Sequence, residues 1–121
     1  MKLFKLCLVV AIVFAMSGVA FAGQTLDSVK AKGFVQVGVN GDLFGFGKPD
    51  EKGVWRGLDV DTARAIAAAV FGDTGKIKFV PLTAVQRFTA LQAGEVDVLC
   101  RNATQTLGRD TELGLDFAQV N

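Results

Sequence analysis

From Cys100 to Arg109 the chain reads Cys-Arg-Asn-Ala-Thr-Gln-Thr-Leu-Gly-Arg, a stretch dense in hydrogen-bond donors. Arg101 and Arg109 carry fixed cations, Asn102, Thr104 and Thr106 carry amide or hydroxyl groups, and the backbone adds further N–H donors. Such a set suits a small anion. A guanidinium grips a carboxylate through two parallel bonds, while hydroxyl and backbone donors take the remaining lone pairs. A second segment, Asn40 to Arg56, carries Gly41, Gly45, Gly47 and Gly53 among Phe44, Phe46 and Trp55. Aromatic walls beside an anion-binding stretch fit a carboxylate on a partly apolar small molecule. Arg109-Asp110 also reads as a solvated ion pair at a helix start, and the residues alone leave the two readings level.

Other chemistry is excluded by what is missing. With no histidine and no tyrosine in the chain, a Ser-His-Asp triad, a Cys-His pair and histidine-ligated zinc are ruled out, and no metal site is expected. Gly38, Gly41, Gly45 and Gly47 lack the Gly-x-Gly-x-x-Gly spacing that opens directly into a helix, so neither a dinucleotide nor any other cofactor is expected. The acids Asp42, Asp50 and Glu51 lie in Gly/Pro/Lys turn contexts, more suited to solvation than to proton transfer. Cys100 ends the apolar run Val96 to Leu99 and reads as a buried structural thiol.

The first 22 residues stand apart. Lys2 and Lys5 precede an unbroken apolar run, Leu6 to Met16, then Ser17-Gly18 and Ala20-Phe21-Ala22. That order predicts a secretory signal peptide over residues 1–22, cleaved after Ala22. Cys7 lies within the apolar run and leaves with the leader. Residues 23–121 then hold eleven basic and twelve acidic side chains, a formal net charge of −1. A balance so near zero gives no footprint for a phosphate backbone, and nucleic acid is not an expected partner. One remaining cysteine cannot form an intramolecular disulfide. A chain of this length supports one domain burying about two-thirds of its unfolded surface.

The elements that must position the donors follow from periodicity. Thr25 reads as an N-cap for a short helix over Leu26 to Lys32, stopped by Gly33. Phe34 to Val39, Lys76 to Val80 and Val96 to Leu99 read as strands. Val60, Ala63, Ile66, Ala67 and Val70 recur at helical spacing before Gly72, and Val85, Phe88 and Leu91 do so before Gly94. The order β-α-β-α-β predicts an α/β fold with a parallel sheet covered by helices on both faces. Between the first strand and first crossover helix, Asn40 to Arg56 spans 17 residues, where about 2–6 is usual, which marks a functional loop. Ligands of open parallel sheets bind outside the carboxyl ends of the strands, and this picks the segments after the first and third strands, Asn40 to Phe46 and Cys100 to Arg109.

Several ordered motifs carry a resemblance. Gly57-Leu58-Asp59-Val60-Asp61 entering an alanine-rich helix, Arg87-x-x-x-Leu91-x-x-Gly94-x-x-Asp97, and Thr106-x-x-Arg109 resemble the family-3 periplasmic solute-binding proteins of amino-acid ABC importers. Gly-Val-Asn-Gly, Gly-Phe-Gly-Lys-Pro-Asp, Val-Trp-Arg-Gly, Ala-Ala-Ala-Val-Phe-Gly-Asp and Leu-Gly-Leu-Asp-Phe-Ala are similar to the general L-amino-acid-binding type. The resemblance covers Thr25 to Asn121. It implies lobe 1 of a type II-like periplasmic-binding-protein clamshell over residues 23–121, which holds a free L-amino acid and presents it to an ABC permease of the inner membrane. It implies that Arg109 binds the ligand α-carboxylate, with Asn102 and Thr104 beside it, Asn40 as a polar position at the first strand end, and Leu43 and Phe44 at the wall. Trp55, Asp59 and Asp61 look structural, the two aspartates as N-cap and first turn of the Val60–Phe71 helix. Ala103-Thr104-Gln105-Thr106 departs from the expected threonine-threonine-tryptophan-threonine, and Thr62 from an aliphatic. Family members run well past twice this chain, so it is expected to be an N-terminal fragment without the second lobe. The expected role is transport binding without catalysis. A cyclohexadienyl-dehydratase-like enzyme and the ligand-binding lobe of a membrane sensor are the alternatives on the same fold.

Overall fold

A computed structural model describes residues 23–118, which divide into two parts after Lys32. The signal-peptide reading of residues 1–22 lies outside the described residues. The first part contributes one helix, α1 (Gln24–Lys32), with Asp27 in its first turn and Lys30 and Lys32 in its last, the charge order that complements a helix dipole. It begins one residue ahead of Thr25, so Thr25 lies within the first turn instead of capping it.

The second part contains β1 (Val35–Val39), β2 (Lys48–Pro49), β3 (Trp55–Arg56), α2 (Leu58–Phe71), β4 (Ile77–Pro81), α3 (Gln86–Gln92), β5 (Val98–Leu99) and α4 (Leu107–Thr111). The main sheet is parallel, in the order β4-β1-β5. Val35 pairs with Ile77 and Val39 with Pro81 on one side, and Val37 with Val98 on the other. β1 is central, and Val35, Val37 and Val39 are buried, as a strand paired on both edges requires. The path from β1 through α2 to β4 runs one way across the sheet and the path through α3 to β5 runs back past β1. With right-handed crossovers, opposite directions put the two helices on opposite faces. Val60, Ala63 and Ala67 form the fully buried stripe of α2, and Gly72 ends that helix in the left-handed conformation.

Three local details differ from expectation, each for a stated reason. β5 is only Val98–Leu99, although Val96 is buried. The Asp97 backbone N–H donates to the Gln36 carbonyl at 2.8 Å, while the Gln36 N–H donates to the Asp97 carboxylate, also at 2.8 Å. A side-chain oxygen thus fills the ladder position of a backbone carbonyl and shortens the strand. Before α3, Thr83 and Gln86 bond reciprocally: the Gln86 N–H donates to Thr83 Oγ1 at 3.3 Å, and Gln86 Oε1 accepts from the Thr83 N–H at 3.4 Å and its hydroxyl at 3.0 Å. This reciprocal pair, of the capping-box type, leaves Val85 exposed as the residue just ahead of α3, and the buried residue of α3 is Ala90. At α2, Asp59 does not cap. Gly57 is the N-cap residue, and Gly45 and Phe46 carbonyls accept from Leu58, Asp59 and Val60 at 3.0, 2.9 and 3.4 Å. The long loop satisfies the helix N-terminus with its own backbone.

That loop is folded. Leu43 and Gly47 form a β-bridge, and β2 pairs antiparallel with β3. Asp50 Oδ1 accepts from the Lys52 and Val54 N–H groups at 2.9 Å each, and its Oδ2 accepts from Arg56 Nε at 2.7 Å. The Arg56 bond and these backbone donors hold the Asp50 carboxyl below its usual range. Trp55 has the structural place read for it: its ring lies 5.4 Å from that of Phe79 in β4, and its carbonyl accepts from Arg64 at 2.9 Å.

Candidate functional site

Three chain segments meet at the carboxyl edge of the sheet. The Cys100 N–H donates to the Gly38 carbonyl and the Leu82 N–H to the Val39 carbonyl, each at 2.9 Å, so the exits of β5 and β4 flank that of β1. Asn40 follows β1 directly and donates its side-chain amide to Asn102 Oδ1 at 3.2 Å. The strand-end rule therefore brought together the two segments it selected. Arg101 Nη1 donates to the Leu82 carbonyl, and its Nη2 reaches Asn102 Oδ1 at 3.4 Å.

Arg109 sits in α4, whose N-cap is Thr106: the Thr106 hydroxyl accepts from the Arg109 N–H at 3.3 Å. Its Nη1 donates to the Thr104 carbonyl, and its guanidinium lies 4.9 Å from the Phe88 ring centroid. Thr104 thus contributes its backbone to Arg109, and its side chain is exposed. Among the described residues Arg109 makes no ion pair with Asp110. Leu43 is half-buried at its bridge, and Phe44 is 90% exposed, so Phe44 covers nothing in this conformation.

A third arginine joins the group. Arg87 of α3 donates Nη1 to the Asn102 carbonyl at 2.8 Å, and its guanidinium lies 4.7 Å from the Phe88 ring. The sequence reading included Arg87 only as a family-like spacing. Arg87 lies in the first turn of α3, beyond the exit of β4, and becomes a neighbour of Asn102 through the strand order β4-β1-β5.

Asp59, in the first turn of α2, is the acid coupled to this cluster. Burial pushes its carboxyl up, and the positive charge of Arg101 opposes that shift. Burial lowers the Arg101 pKa first, the like charge of Arg87 lowers it further, and Asp59 acts the other way. The Cys100 thiol is pushed up to about 11 by burial and by the Asp59 carboxylate, which fits a structural thiol. Asp59 Oδ2, Arg87 Nε and Arg101 Nε are buried atoms without a hydrogen-bond partner. The arrangement sets Arg87 and Arg109 on the Asn102 and Thr104 carbonyls and Arg101 on the Leu82 carbonyl and the Asn102 side chain, each guanidinium with unused donors. Chemically it can bind and orient anions. Among the described residues no group of three Cys, Asp or Glu side chains is placed to hold a metal ion.

Residues 35–119 match the family described as bacterial extracellular solute-binding proteins, family 3. The chain is 56% identical over 110 residues to the general L-amino acid-binding periplasmic protein AapJ of Rhizobium johnstonii, covering 91% of this chain and 32% of the relative. It is 55% identical over 112 residues to the glutamate/glutamine/aspartate/asparagine-binding protein BztA of Rhodobacter capsulatus, covering 93% and 33%. A solved periplasmic binding protein of an ABC transporter from Brucella ovis, with glutathione bound, superposes with a TM-score of 0.77 at 64% identity, covering 79% of this chain and 30% of that one. The chain thus spans about a third of the length of these relatives, and its parallel α/β fold matches one lobe of a periplasmic binding protein.

Proposed function

The chain belongs to the bacterial extracellular solute-binding proteins of family 3, and we propose that it forms the carboxylate-binding lobe, residues 23–121, of a periplasmic receptor that passes free L-amino acids to an ABC permease. The observation that carries this reading is the seat of Arg109. Its guanidinium is held against Phe88 and the Thr104 carbonyl, on the segment that the Asn40–Asn102 bond ties to the end of β1. A preset planar fork costs a ligand little ordering and accepts a carboxylate in two parallel bonds. Asn102, Asn40 and the backbone of Thr104 frame the same anion, with Leu43 and Phe44 on the loop beside it. Relatives named as amino-acid-binding proteins support the ligand class. The leader motif ending Ala20-Phe21-Ala22 supports export with cleavage before Gly23.

Binding is favoured over acid-base chemistry by the loop acids. Asp42 is highly exposed and pairs with Lys48 at 3.0 Å, and Asp50 is committed to its turn and to Arg56.

Contacts made on a single lobe stay partly hydrated, so residues 23–121 are titrated with ligand up to the millimolar range. The test follows backbone amides of Asn102 to Arg109 by NMR as L-amino acids are added. A saturable response is expected, with Arg109→Ala abolishing it and Arg109→Lys failing to restore it fully, because an ammonium lacks the planar fork. An unchanged response in folded Arg109→Ala protein overturns the reading.

A further inference from the structure

The helix that carries Asp59 makes no use of its carboxylate. All four first-turn N–H groups of α2 are met by backbone: Leu58 by the Gly45 carbonyl, Asp59 and Val60 by that of Phe46, and Asp61 by that of Gly57. Asp61, in the same turn, is exposed and supplies the acidic complement to the helix dipole without burial. Asp59 Oδ2, by contrast, is buried and accepts no hydrogen bond. Burial pushes the Asp59 carboxyl up in spite of the opposing charge of Arg101. The folded protein therefore holds this proton to higher pH than the unfolded chain does, and stability falls as pH rises from the ordinary 3.8 through the folded value. At neutral pH the ionised carboxylate costs the fold stability.

The contacts of Asp59 lead to the donor segment. The Phe46 carbonyl that receives its N–H precedes Gly47, where a Cβ would stand 3.5 Å from the Asn40 backbone nitrogen. Asn40 donates to Asn102 Oδ1, and the same oxygen receives Arg101 Nη2. The Leu82 carbonyl takes Arg101 Nη1, and Arg101 Nε is buried with no partner. The like charge of Arg87 works against Arg101, and Asp59 offsets it. Carbonyl and amide oxygens orient a guanidinium but leave its charge in place; a carboxylate compensates the charge as well.

Resting on the reading of Cys100 to Arg109 as the ligand-binding segment, we infer that Asp59 is a positioning residue of the site: its carboxylate keeps Arg101 on the Leu82 carbonyl and the Asn102 side chain, and through Arg101 it sets the segment that receives the ligand. Its effect on the fold and its effect on binding then have opposite signs, the pattern of a group whose benefit is functional at the expense of stability. A carboxylate that served packing alone would not separate the two.

Asp59→Asn keeps size and shape and removes the charge. Purified wild-type and variant proteins are compared by urea denaturation at pH 7, by the Arg101 Nε–Hε NMR signal, and by titration with L-glutamine and L-glutamate as probes. The variant is expected to unfold at the same or a higher urea concentration. Its Arg101 signal is expected to move or broaden more than that of Arg56, which Asp50 holds elsewhere. Binding is expected to weaken roughly three- to tenfold, the scale of one hydrogen bond. Asp59→Glu, which keeps the charge, recovers part of the affinity. A lower midpoint with unchanged affinity makes Asp59 structural and overturns the inference, as does an Arg101 signal that stays in place. If wild-type protein gives no saturable response to either probe, the reading of the ligand-binding segment fails; the Arg101 signal and the midpoint still show whether Asp59 holds Arg101, so the two failures are told apart.

Discussion

Asn40 and Asn102 hold each other across the carboxyl edge of the sheet, the Asn40 side-chain amide donating to Asn102 Oδ1 at 3.2 Å although 62 positions separate them. The same oxygen receives Arg101, and the Asn102 backbone carbonyl receives Arg87. One residue therefore fixes the exits of two strands and two of the three guanidinium groups. Asn102→Ala removes the side-chain acceptor and leaves the carbonyl in place. The expected cost is about 0.5–1.5 kcal/mol in denaturant unfolding, because the bond is exposed. Arg101 Nε is expected to shift in NMR spectra more than Arg87 Nε. Equal shifts would mean that the side chain does not set the position of Arg101.

Gly57 lies at φ 123°, and a Cβ there would stand 2.3 Å from the Phe46 carbonyl oxygen. That same oxygen accepts from Asp59 and Val60 at the start of α2. Neither the backbone conformation nor the contact can yield without moving the cap. Gly57→Ala is expected to destabilise the protein by at least about 1–3 kcal/mol. It should also speed amide exchange at Leu58 to Val60, detectable by hydrogen-exchange mass spectrometry. Gly53 lies at φ 77° with nothing within 4 Å of an added Cβ, so Gly53→Ala isolates the strain of a left-handed position from the clash.

The Asp97 carboxylate stands in for a backbone carbonyl beside β1. Asp97→Ala leaves the Gln36 N–H without that acceptor at a half-buried position, at an expected cost of about 1–3 kcal/mol. Asp97→Asn keeps one side-chain oxygen and is expected to lose less than half as much. Equal losses in chemical denaturation would point to charge in place of ladder geometry.

The contrast between what sequence made legible and what it hid follows the range of each interaction. β1 was readable because a strand paired on both edges needs an apolar run, and Val35, Val37 and Val39 supply one. The α2 stripe was readable because Val60, Ala63 and Ala67 repeat at helical spacing. Asn40 and Asn102 could be placed together because strand ends in a parallel sheet share an edge. The Asp97 substitution in the ladder was hidden, since aspartate after a buried valine reads equally as a turn residue. The cap at Gly57 was hidden because its acceptors are backbone carbonyls of Gly45 and Phe46, which carry no residue-type signal, and Asp59 offered a plausible side-chain cap in their place. Freed from that duty, Asp59 became the counter-charge of Arg101. Arg87 depends on a loop exit that only the strand order β4-β1-β5 makes a neighbour of Asn102.

Cys100 gives a pH dependence with a defined sign. Its thiol is raised from 9.0 to about 11 by burial and by Asp59. The unfolded chain therefore releases this proton at lower pH than the folded one. Its contribution to stability is full below pH 9 and falls as pH rises toward about 11. Alkylation of Cys100 by iodoacetamide in folded protein is expected to be slow at pH 8 and to rise only above pH 10, whereas Cys100→Ala is expected to flatten the loss of stability across that window. Fast alkylation of folded protein at pH 8 would show an accessible thiolate and remove the burial argument.

Phe88 is the residue on which two guanidinium groups lean, with Arg87 at 4.7 Å and Arg109 at 4.9 Å from its ring centroid. Its face offers each guanidinium roughly 0.5–1 kcal/mol at partly exposed sites. The larger consequence is orientation: a guanidinium held on a ring presents its edge, and so its paired N–H donors, away from the ring. Phe88→Leu keeps an apolar side chain of similar bulk and removes the π face, so the change in stability is expected to stay below about 1.5 kcal/mol. Ligand affinity is expected to fall several-fold, since two cations lose their setting together. The control is Phe44, the aromatic that resemblance placed at the ligand wall and that stands 90% exposed. Phe44→Ala is expected to leave the denaturation midpoint unchanged, because no buried area is lost. Its effect on binding then separates the two aromatics: a smaller loss than Phe88→Leu makes Phe88 the working surface of this lobe, and a larger loss shows that Phe44 folds onto the ligand as a wall and that the ring beneath the arginines serves packing alone.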